Sequence, residues 1–95
     1  MILVIVEHYL DEMGRAYFPT WVREVEKVLE KWPGFINIQH IKKVEQPEAT
    51  WLLLRFESLP LLRAWAASED HQKILDLLAP YRKQKQRSQL FEVSH

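Results

Sequence analysis

Ninety-five residues, with 47% apolar and 27% charged side chains, have the composition of one small globular domain, and a single domain over residues 1–95 is expected. The 13 basic residues balance the 13 acidic ones, so no net field draws the chain to nucleic acid or an anionic membrane. Cysteine is absent, which excludes disulfides, thiolate catalysis and Cys-ligated metal clusters and suits a reducing cytoplasm.

The apolar start, Met1 to Val6, ends at Glu7 and His8. It is too short for a membrane span or a signal segment, so the chain reads as cytoplasmic and complete. Residues 2–10 read as a strand. Ile2, Val4 and Val6 alternate with Leu3 and Ile5, so both faces are apolar and both need cover. Asp11 to Gly14 read as a turn. Phe18, Trp21, Val22, Val25, Val28, Leu29 and Trp32 then recur at helical spacing, opposite charged residues from Arg23 to Lys31. The pattern predicts about four helical turns, with Pro19 in the first turn and Pro33-Gly34 as the stop.

Residues 35–43 and 49–57 read as a hairpin turning at Gln46-Pro47-Glu48. Ser58 is a candidate cap for a helix carrying Leu61, Leu62 and Trp65. Ser68-Glu69-Asp70 is a second cap with acidic residues in the first turn, so a break is predicted near Ser68. The helix resumes through Ile74, Leu75, Leu77, Leu78 and Tyr81. Arg82 to Ser88 reads as a solvated basic loop, and Gln89 to Ser94 as the last strand.

The order β-α-β-β-α-β is the ferredoxin-like α+β pattern, a four-stranded antiparallel sheet with two helices on one face. The chain supplies nothing to cover the other apolar face, so a homodimer is expected.

Pro33-Gly34-Phe35, Arg55-Phe56-Glu57-Ser58 and the series Leu62, Trp65, Ser68, His71 carry a resemblance. The chain resembles, over essentially its whole length, the antibiotic biosynthesis monooxygenase superfamily, whose members often have a Pro-Gly-Phe turn and a Trp-x-x-Ser-x-x-His/Arg segment. The resemblance implies a dimeric α+β barrel with a pocket in each subunit between the helices and the sheet. It also implies a cofactor-free oxygenase of a small phenolic or quinol-type molecule. Haem degradation occurs among relatives too, but those carry Asn where His8 stands and Trp where Phe56 stands, and their iron-ligating His falls near Leu75.

Two residues are candidate bases. His8 lies among the apolar residues of the helix-facing side of the first strand; it is either a substrate base or a strand-end histidine reaching water. His71 sits in a helical first turn, where the dipole favours the neutral ring, while Glu69 and Asp70 favour the charged one. Phe56, Trp65, Trp21 and Phe18 are candidate pocket walls; helical spacing makes Trp21 and Phe18 read first as core. Glu7, Tyr9 and Arg55 are assigned to the dimer face, with Glu7 and Arg55 able to pair across neighbouring strands. His40 and His95 complete the histidines, and no pair has local metal-ligand spacing, so no metal is expected. With two glycines, no phosphate-cradling or dinucleotide loop is present. A non-catalytic dimer that binds a small hydrophobic ligand is the alternative.

Overall fold

The computed structural model describes residues 1–94; His95 lies outside them. Strand β1, Ile2–Leu10, buries every second residue: Ile2, Val4, Val6, His8 and Leu10 face the helices. Helix α1, Glu12–Leu29, buries Phe18, Trp21, Val22, Val25 and Leu29 against that face. A hairpin follows, β2 Phe35–Lys43 and β3 Gln46–Phe56. Helices α2, Leu59–Ala66, and α3, Glu69–Leu78, lead through a tight turn at 79–81 to β4, Arg82–Glu92. The sheet is antiparallel throughout, in the order β2-β3-β1-β4, which is the ferredoxin-like arrangement.

Helix α1 starts earlier than its apolar pattern. Asp11 is the N-cap, and its Oδ1 accepts from the Gly14 N–H at 2.8 Å. The residues read as a turn are therefore the first helical turn. Gly14 stands there because a Cβ would come within 2.6 Å of the Tyr81 Cβ. Pro19 consequently lies inside the helix rather than in its first turn. The predicted break falls at Ser68, whose Oγ accepts from the His71 N–H at 3.1 Å while donating to the Trp65 carbonyl.

Two further boundaries differ from the sequence reading. The hairpin turns at Val44-Glu45, because Lys43 pairs with Gln46; Pro47 sits in a register slip at the β3 end, where a missing N–H is tolerated. The basic run from Arg82 to Ser88 is the first half of β4, not a loop. An edge strand needs no apolar alternation, and its lysines and arginines protect the open edge.

Antiparallel register also separates Glu7 from Arg55. Glu7 lies opposite Trp51 and Arg87, whereas Arg55 lies opposite Leu3 and Asn37. The expected cross-strand pair therefore does not form. The Arg55 guanidinium donates to Asn37 Oδ1 at 3.2 Å and Gln39 Oε1 at 3.0 Å, and Tyr9 Oη donates to Glu7 Oε1 at 3.1 Å.

Candidate active site

Between the three helices and the helix-facing side of β1, β3 and β4 lies a cavity of about 350 Å³. Its floor and walls are apolar: Val4, Val6, Leu52, Leu54, Trp21 and Trp65 are all buried. Exposed Arg63, Ala66, Ser88 and Leu90 form its rim. His8, His71 and Gln86 are the remaining polar side chains of the wall.

His8 enters this space because β1 alternates, but β4 determines what faces it. The β1–β4 register shifts between Glu7 and Tyr9, so Lys85 and Gln86 together oppose the single residue His8. Such a bulge re-aims side chains, and here it accompanies Gln86 into the cavity wall. On the opposite side, Thr50 Oγ1 donates to the His8 carbonyl and ties the backbone to β3.

The His8 ring is 4% exposed and packed between aromatic neighbours, with centroids 5.1 Å from Trp21 and 5.6 Å from Phe18. Its Nδ1 is enclosed without a hydrogen-bond partner among the described residues. Burial opposes the charged ring, and the Arg82 guanidinium adds to that, so the pKa is lowered to about 4. His71 is half-buried, edge-on to Trp65 at 5.4 Å, and burial lowers its pKa as well. Both imidazoles facing the cavity are thus neutral near pH 7, each with an acceptor nitrogen and no carboxylate partner. Burial is the sole cause of the His71 shift, with no opposing contribution from Glu69 or Asp70; Asp70 Oδ2 accepts from Trp32 Nε1 at 3.2 Å.

Of the four aromatic residues considered for the walls, Trp65 and Trp21 line the cavity. Phe18 and Phe56 do not: each is 0% exposed and packs in the core. Trp21 serves both roles, since its Nε1 donates to the Ile74 carbonyl at 2.8 Å while its ring forms part of the wall. Leu75, at the helix position where haem-degrading relatives would place an iron ligand, lines the cavity as an apolar residue. His40 packs edge-on against Phe18 at 4.9 Å, away from the cavity. Among the described residues, no three His, Asp or Glu side chains converge as a metal set. Arg63, Gln86 and Ser88 are wall residues that the sequence did not suggest. Arg63 is a polar position on a short helix with no motif to single it out, and the other two lie in the polar run from Arg82 to Ser88.

The family model described as antibiotic biosynthesis monooxygenase matches residues 1–77. The chain belongs to the antibiotic biosynthesis monooxygenase family. Solved structures agree in fold at low identity. One is an antibiotic biosynthesis monooxygenase with a TM-score of 0.80 and 14% identity, covering 100% of both chains. A conserved protein from Methanosarcina mazei Go1 has a TM-score of 0.83 and 16% identity, over 98% of this chain and 92% of that one. SnoaB, a cofactor-independent oxygenase from Streptomyces nogalater, has a TM-score of 0.81 and 11% identity, over 99% of this chain and 93% of its own. No curated protein matches the chain in sequence. Like its structural relatives, this family member is built on the ferredoxin-like sheet, and the matched residues 1–77 include every cavity residue except Gln86, Ser88 and Leu90 of β4. Among the described residues, no helix is long and apolar enough to cross a membrane.

Proposed function

We propose that the protein is a cofactor-independent monooxygenase of a small aromatic, phenol- or quinol-type molecule bound in the cavity between helices and sheet. The observation that carries this reading is the pairing of two neutral imidazoles, His8 and His71, with a largely apolar, Trp-walled space. An electron-rich phenol needs a proton acceptor, a dry site and a fixed orientation to react with dioxygen.

His8 Nε2 accepts the hydrogen bond of the phenolic hydroxyl and takes its proton. Its low basicity makes that transfer uphill for the isolated groups. In an apolar cavity, the phenolate and imidazolium attract one another strongly, which offsets part of the cost. The phenolate gives one electron to dioxygen, the two radicals combine at a ring carbon bearing hydrogen, and the peroxide anion so formed takes the proton back from the His8 imidazolium. The resulting hydroperoxide loses water, so one oxygen atom stays as a carbonyl and the other leaves as water. His71, nearer the rim, is the second acceptor, and Trp65 and Trp21 hold the ring by stacking or edge contacts.

The reading includes a homodimer. Leu3, Ile5, Tyr9, Trp51 and Leu53 form a half-buried stripe on the face without helices, and a second copy would cover it. Trp51 Nε1 on this face is enclosed and has no partner among the described residues.

An oxygen electrode tests the activity. Naphthols, anthrones and dihydroquinones are offered without flavin or metal, to the wild type and to His8→Ala and His71→Ala. Uptake above the buffer rate should fall by about 10²-fold or more in the variant that lacks the base. No uptake, or equal uptake in both variants, would leave a ligand-binding protein as the better account.

A further inference from the structure

We propose that the molecule bound in this cavity is an aromatic acid, whose carboxylate pairs with Arg63 at the rim. The proposal rests on the cavity being the substrate site and goes beyond it in naming the ligand's charge. Three observations carry it. Among the described residues, Arg63 is the sole formally charged one in the wall, and no Asp or Glu lines the cavity. The Arg63 guanidinium has no ion pair or hydrogen-bond partner among the described residues, where the one ion pair is Glu24–Lys27. Asp70, at the start of the neighbouring helix α3, accepts from Trp32 Nε1 at 3.2 Å and forms no ion pair with Arg63.

Each ligand class meets this wall differently. A cationic ligand finds no carboxylate and is repelled by Arg63. A neutral hydrocarbon fills the apolar volume but brings apolar surface against an unpaired guanidinium. An acid with a flat apolar body fills the volume and supplies two oxygens to a planar fork of N–H donors. Arg82, which donates to Gln86 Oε1 at 3.0 Å and lies close enough to His8 to lower its basicity, adds positive potential on the β4 side. The two ends of the cavity thereby take different chemistry, with carboxylate at the rim and hydroxyl at the buried imidazole.

The test uses 2-naphthoate and its neutral isostere 2-naphthamide, titrated by calorimetry into the wild type, Arg63→Gln and Arg63→Lys. Arg63 is exposed, so both variants should keep the wild-type melting temperature. The wild type should favour naphthoate by about two- to fivefold at low salt, as suits an exposed ion pair. The preference should fade as salt is raised, persist in Arg63→Lys and vanish in Arg63→Gln. Equal binding of the two probes to the wild type, a preference that survives in Arg63→Gln, or no binding of either would overturn the proposal. The oxygenase reading fails separately: acid preference without oxygen uptake on any phenol sinks the activity and leaves the ligand class standing. Uptake without acid preference does the reverse.

Discussion

His8 is a histidine held where a strand would ordinarily place a valine. Its lowered pKa is a statement about stability as well as about chemistry. Above the unfolded value of about 6.5 neither state holds the proton, and protonation of His8 adds nothing to the difference between them. As pH falls from about 6.5, the unfolded chain takes up a proton that the folded protein refuses, so stability drops until the pH reaches the folded value of about 4. The full loss is about 3 kcal/mol. His40 and His71 are lowered too and add smaller losses of the same sign. Urea unfolding at pH 7, 5 and 4 should therefore show a shallower acid loss in His8→Leu than in the wild type. Parallel pH slopes for the two proteins would mean that His8 is not desolvated.

Each element ends for a local reason, and the tightest of these ends is the turn after α1. Gly34 has φ +86°, and a Cβ there would come within 2.6 Å of Leu61 Cδ1 and 2.8 Å of its Cβ. This turn also hands the chain to β2, and the Gly34 carbonyl accepts from the Glu57 N–H at 2.8 Å. Gly34→Ala should cost about 2 to 4 kcal/mol, from left-handed backbone strain together with overpacking. Adding Leu61→Ala removes the Cδ1 contact and keeps the Cβ one, so it should recover part of the steric cost, and the double variant should be less destabilised than the sum of the singles. Strict additivity in denaturant titrations would show that the Leu61 side chain beyond Cβ carries none of the cost. The same locality explains why the turn, the α2–α3 break at Ser68 and the strand of residues 2–10 were readable beforehand. The misread elements are those whose pattern is weak. Asp11 starts α1 before any apolar residue signals it, and β4 has a charged first half because one of its edges is open.

On the scale of the whole molecule, the proposed dimer rests on the sheet's second face. Leu53 lies opposite Ile5 and Gln39 in the middle of that face. Leu53→Asp should convert a wild-type dimer to monomer in sedimentation equilibrium, with the cavity face untouched. A wild type that sediments as a monomer at micromolar concentration would remove the dimer from this account.

The ferredoxin-like order of elements, the two apolar faces of the sheet and the family resemblance all follow from periodicity and short motifs, which are local properties of the chain. So does the assignment of His8 to the helix side, because strand alternation alone determines it. The cavity itself was not legible in this way. It depends on how the three helices sit on the sheet, which left Trp21 and Trp65 in its wall and drew Phe18 and Phe56 fully into the core. The separation of Glu7 from Arg55, the bulge opposite His8, and the meeting of Arg63 with Gln86 and Ser88 depend on register between distant strands and helices. Register and helix placement arise from contacts between residues far apart in the chain, and no spacing within one segment encodes them.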